Sequence, residues 1–155
     1  MAQGKKAPRR LERAFAFKVL YGLCFSPASS EAALLSAFTL SPDQPEGLDS
    51  EDSYAWRLVY GIWKEGPRLD EAVASFSQNW RVERMGKVEA TILRIALYEL
   101  MRRDPDVPPR VVINEAVELS KQYSDDKSRV FINGVLDAAA KALDSGALPH
   151  AGAQR

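Results

Sequence analysis

The chain has 155 residues, 21 of them basic and 21 acidic, with one His and one Cys. That length suits one domain able to bury a core without disulfide or metal staples, and one Cys cannot pair within the chain, so a reduced cytoplasm is the expected compartment. Zero net charge excludes a strongly basic, indiscriminate polyanion binder. No apolar run approaches the roughly 18 residues of a membrane span, and Glu12, Arg13 and Lys18 interrupt the stretch that a secretory signal would need unbroken.

Apolar residues recur at helical steps, and no run alternates as a half-buried strand would. A first helix is predicted from about Pro8 to Phe25, with Leu11, Phe15, Ala16, Val19, Leu20 and Leu23 on its apolar side. Lys6, Arg9, Arg10 and Arg13 fall within an arc of about 100° and form a basic stripe if the helix reaches them. This end holds six bases and one acid over residues 1–18, a balance of +5, whereas residues 19–56 hold six acids and no base. The zero is thus a cancellation, and beyond a Debye length of about 8 Å exposed charges barely sense each other. A basic terminus can also be a merely solvated tail.

Ser30 suits the cap of a short second helix, EAALLSAF. The third is predicted to open at Asp49 or Ser50, with acids in its first turn, and to carry Ala55, Leu58, Val59 and Ile62 inward until Gly66-Pro67. Leu69, Val73, Phe76 and Trp80 mark the fourth, and Val88, Ile92, Leu93, Ala96, Leu97 and Leu100 the fifth, from near Arg84 to Arg103. DPDVPP then breaks the chain. The sixth is VVINEAVELSKQY, and a polar turn, SDDKS, leads to the last, RVFINGVLDAAAKAL. Gly134 inside that helix costs about 1 kcal/mol relative to Ala, which close approach of a neighbouring helix would offset. The expectation is an all-α protein of seven helices with a mobile tail.

No Cys-x-x-Cys, His pair at helical spacing or phosphate-cradling Gly-rich loop is present, so neither a metal nor a cofactor is expected. His150 lies in the tail, Cys24 follows an apolar helix face, and Glu115 and Glu118 read as helix-surface acids with Lys121 as the local partner. Nothing meets the geometric requirements of catalysis, and the chain reads as a binding protein rather than an enzyme.

Three stretches carry a family resemblance: RRLERAFAFKVLY (Arg9 to Tyr21), VEATILRIALYEL (Val88 to Leu100) and VPPRVVINEAVELSKQYSDDKSRVFINGVLD (Val107 to Asp137). The second closely matches a Leu-Arg-x-Ala-x-Tyr-Glu-Leu signature, and the third the Ile-Asn-Glu-Ala and Phe-[Val/Ile]-Asn-Gly-Val-Leu-Asp words. Together they resemble the NusB family of bacterial transcription antitermination factors, in order, over about residues 9–143. The resemblance implies two stacked helical subdomains with a boundary near residues 80–87. Residues 1–8 would be a flexible basic extension, 9–143 one RNA-binding domain and 144–155 a disordered tail.

It further implies binding to boxA, a short single-stranded element of ribosomal RNA leader transcripts, with NusE, a small-subunit ribosomal protein, inside a transcription elongation complex with RNA polymerase. A homodimer is left open, and no membrane is involved. Single-stranded RNA needs cations for phosphates and flat or hydrogen-bonding groups for bases. Arg9, Arg10 and Arg13 match the family's arginine-rich terminus, with Lys5 and Lys6 as looser equivalents. Lys127, Ser128, Arg129 and Phe131 match its second RNA-facing element. Lys127 stands where some relatives carry an acid, and Phe131 reads equally as a base-stacking ring or as core. Tyr21, Glu89 and, less closely, Glu83 match NusE-contacting positions, although Tyr21 also reads as a half-buried helix residue and both acids as solvated. Asn114 and Asn133 are expected to satisfy buried backbone groups or helix ends.

Two other readings compete. A NusB-like domain also begins a ribosomal RNA cytosine methyltransferase, which needs a further catalytic domain and a reactive Cys, and this chain leaves no room for one. A protein-interaction module without RNA binding is the other, against which Arg9, Arg10 and Arg13 count.

Overall fold

The computed structural model describes residues 8–48, 51–77 and 85–146. Among these residues lie seven helices and no strand: α1 (Arg9–Leu23), α2 (Glu31–Thr39), α3 (Tyr54–Lys64), α4 (Gly66–Phe76), α5 (Lys87–Arg102), α6 (Pro109–Tyr123) and α7 (Asp126–Asp144). The chain divides into two compact units between Gly61 and Ile62, within α3. The expected boundary near 80–87 is therefore misplaced; it sits partly on residues 78–84, outside the described residues.

In the first unit, Phe15, Ala16, Val19 and Leu20 of α1 are buried, as are Leu34 and Phe38 of α2 and Ala55, Leu58 and Val59 of α3. Rings hold the three helices in register: Phe38 lies 5.1 Å from Phe15 and 5.1 Å from Trp56, centroid to centroid. Leu11, expected on the inner face of α1, is 44% exposed, and Glu12 and Arg13 are buried instead. The Ser30 hydroxyl caps α2 as expected, accepting from the Ala33 amide at 3.1 Å.

The second unit is built around α5. Every residue of this helix from Ala90 to Met101 is buried except Arg94. A helix buried on nearly every side must be surrounded, and α4, α6 and α7 each pack on it. Burying each of its Leu and Ile side chains contributes roughly 1.5–3 kcal/mol relative to exposure. Arg94 reaches Asp70 of α4 through two parallel bonds, Nε to Oδ1 at 2.7 Å and a terminal nitrogen to Oδ2 at 3.2 Å. Its neighbour α6 starts at Pro109, two residues before the expected Val111, because Pro suits a first helical position.

Two further differences concern helix starts and packing. The expected opening of α3 at Asp49 or Ser50 falls outside the described residues; Glu51–Ser53 form a turn, and the helix begins at Tyr54. The expected SDDKS turn is mostly helix: Asp125 caps α7, accepting from the Ser128 amide at 2.9 Å, so Lys127 and Ser128 lie in its first turn. Gly134 is exposed, and a Cβ there would meet nothing within 4 Å, so no neighbouring helix approaches it. Asn114 and Asn133 are exposed too, and neither side chain finds a hydrogen-bond partner among the described residues, contrary to their expected bonding role. At the carboxyl end α7 includes Asp144, the first residue of the expected tail, while residues 147–155 lie outside the described residues.

Candidate nucleic-acid interface

The basic end of α1 belongs to the first unit. Arg9 and Arg10 are exposed, while Arg13, one turn on, is only 4% exposed. Tyr54, at the start of α3, explains the arrangement. The Arg9 guanidinium stacks 3.9 Å from the centroid of its ring and that of Arg13 lies 5.6 Å away. The expected three-residue stripe thus becomes two outward cations and one buried one. Lys5 and Lys6 lie outside the described residues.

Glu12, the lone acid of this end, points inward and accepts from the Ala55 amide at 2.9 Å, while the Ser53 hydroxyl accepts from the Trp56 amide at 3.1 Å. Two orphan amides at the start of α3 are so satisfied, one of them by a side chain 43 residues distant. At the start of α1 the capping residue is Pro8, which offers no side-chain bond. The helix dipole favours anions there, yet the chain places arginines. An anion there would be held by both amides and guanidinium groups.

The amino end of α7 belongs to the second unit. Lys127 is exposed, and Ser128, Arg129 and Phe131 are half-buried. Arg129 donates to the Asp126 carboxylate one turn away. The Ser128 amide donating to Asp125 holds that carboxyl below the usual carboxylate range. The Ser128 hydroxyl donates to Oε2 of Glu89 in the first turn of α5, so the structure joins a residue matched to RNA with one matched to the protein partner.

Tyr21, on α1, is half-buried. Its ring stacks on Phe17 at 5.8 Å and meets the edge of Phe25 at 5.2 Å. Phe25 is 62% exposed, extending an aromatic row that sequence reasoning did not single out. Glu83 lies outside the described residues. Tyr54, Glu12 and Phe25 are the residues missed; only Phe25, four positions after Tyr21, carried a local signal. No cluster of three His, Cys, Asp or Glu side chains able to hold a metal occurs among the described residues, and no helix there is long and apolar enough to cross a membrane.

Among the described residues the fold is all-α, with exposed arginines at the start of α1 and further basic groups in the first turn of α7, the architecture of a helical protein. Residues 10–141 match the NusB family. The chain is 56% identical to the transcription antitermination protein NusB of Nitratidesulfovibrio vulgaris strain Miyazaki F, over 97% of its own length and 98% of that protein. It superposes on NusB of T. maritima with a TM-score of 0.75 at 31% identity, covering 88% of this chain and 93% of that one. A structure of antitermination factors NusB and NusE in complex with dsRNA matches with a TM-score of 0.70 at 28% identity, covering 86% and 96%. This chain belongs to the NusB family.

Proposed function

We propose that this protein is a transcription antitermination factor that binds the boxA single-stranded element of ribosomal RNA leader transcripts together with NusE. In this reading the RNA-bound pair joins the elongation complex on RNA polymerase in the cytoplasm. Arg9, Arg10, Lys127 and Arg129, with Lys5 and Lys6 ahead of them, meet phosphates; Ser128 and Phe131 meet sugar or base; Tyr21, Glu89 and Glu83 meet NusE. Arg13 acts through Tyr54, helping to hold the ring under Arg9.

The observation that carries the reading is the exposed Arg9–Arg10 pair in the first turn of α1, where guanidinium charge adds to the helix dipole in attracting an anion. The membership in the family, and a relative solved with NusE and RNA, favour RNA as that anion. The test is fluorescence anisotropy with labelled boxA RNA. Replacing Arg9 and Arg10 together by Ala is expected to weaken binding at least about tenfold near 50 mM salt and to flatten the salt slope by about 1.4, for two phosphates at roughly 0.7 each. Unchanged affinity and slope would refute the assignment.

A further inference from the structure

At the amino end of α7 the chain's own carboxylates already hold the groups that a phosphate would need. The Ser128 amide is taken by Asp125, the Arg129 guanidinium by Asp126, and the Ser128 hydroxyl by Glu89. A Ser hydroxyl has a single proton to donate, so while it serves Glu89 it cannot serve a phosphate oxygen. Asp125 and Asp126 are local to the helix start, where the dipole favours negative charge. Glu89 differs from them: it arrives from another helix, 39 residues earlier in the chain.

Its posture is also specific. A Cβ at position 86 would collide with Oε1 of Glu89 and lie 3.3 Å from its Cδ. The carboxylate is folded back over the start of its own helix, into room that exists because Gly86 has no side chain. Gly86 adopts φ −62 and ψ 150, extended backbone open to any residue, so its value here is the space it leaves and not its flexibility.

We propose that Glu89 is a built-in brake on RNA binding at the amino end of α7, released when a cationic group of the protein partner seats on its carboxylate. The inference rests on the RNA and NusE assignments proposed above. In the free protein the Glu89 charge repels an approaching phosphate and its oxygen occupies the Ser128 proton. A partner cation neutralises the first and competes for the second, turning the hydroxyl toward RNA. Linkage then requires that RNA raise partner affinity by the same factor.

Glu89→Gln keeps the shape and removes the charge. In anisotropy titrations of the full chain with labelled boxA RNA and no partner, it is expected to bind about three- to tenfold more tightly near 50 mM salt. That gain should shrink at several-fold higher salt, because it is electrostatic. Structural damage would instead lower affinity. Gly86→Ala preserves every charge while displacing the same carboxylate, and a smaller gain in the same direction is expected. Adding NusE should raise the RNA affinity of the native chain and benefit Glu89→Gln less. The brake is overturned if Glu89→Gln binds RNA no more tightly than the native chain, or if its gain is indifferent to salt. Lys127→Ala with Arg129→Ala, titrated alongside, separates the two levels. A loss of RNA affinity there upholds the RNA assignment, so a failed Glu89→Gln result overturns the brake alone, and no loss overturns both.

Discussion

Glu12 and Arg13 are neighbours on α1, both buried, and both act on the start of α3. Glu12 supplies an acceptor to the Ala55 amide, and Arg13 lies beside Tyr54. A buried carboxylate is retained only with good partners, since an unpaired one carries a large desolvation cost. Glu12→Ala should therefore cost about 1–2 kcal/mol, the range of a lost helix cap, whereas Glu12→Gln, which keeps an acceptor oxygen, should cost clearly less. Urea denaturation of both variants checks this, and equal losses would show that the cap is not what Glu12 contributes. The same pair shows why the basic stripe was only partly legible. Helical spacing placed Arg9, Arg10 and Arg13 on one side, but Tyr54 lies 41 residues beyond Arg13, and no local pattern announces that a ring will cover the third arginine and lie under the first.

Whole helices were far more legible than their starts. Periodicity placed Ala55, Leu58, Val59 and Ile62 of α3 and Ile92, Leu93, Ala96, Leu97 and Leu100 of α5 on buried faces, because an apolar face has to be covered by neighbours, whereas Val88 is only half-buried. The starts of α3 and α7 were not, for different reasons. The cap of α3 comes partly from α1, so nothing within residues 49–53 distinguishes Ser53 from Asp49 as the boundary. At α7 the polar run SDDKS looks like a turn, yet it contains both a cap and a first helical turn, Asp125 followed by Asp126, Lys127 and Ser128. The Asp125 cap has a consequence for acid stability. Its folded-state carboxyl sits below the usual range because the Ser128 amide stabilises the charged form. A depressed folded value gives stability that is fully present above the unfolded value, about 3.9, and lost as pH falls through the folded one. Asn also caps helices but does not titrate. Asp125→Asn should accordingly match the native thermal midpoint near neutral pH and fall less steeply below about pH 4. Parallel acid limbs in melting curves taken across that range would contradict the role given to this cap.

At the scale of the molecule, zero net charge conceals a separation that binding can use. The N-terminal 18 residues carry a balance of +5 while the 38 that follow carry −6, and the cations assigned to phosphate are few: Arg9, Arg10, Lys127 and Arg129, with Lys5 and Lys6 as further candidates. Each phosphate neutralised on a single strand contributes roughly −0.7 to the slope of log affinity against log salt. Four to six contacts therefore give a slope between about −3 and −4, equivalent to a loss of roughly 50- to 300-fold between about 50 and 200 mM salt. A uniformly basic surface would give a steeper line, and a surface whose acids fully offset its bases would give one close to flat. Titrating boxA RNA across that salt range distinguishes these cases. A slope shallower than about −1 would mean that the basic end of α1 does not hold phosphate, and one steeper than about −6 would mean that cations outside these clusters do most of the holding. The intermediate value is the one that fits the proposed sharing of RNA with NusE, because electrostatic contacts this few give modest affinity alone.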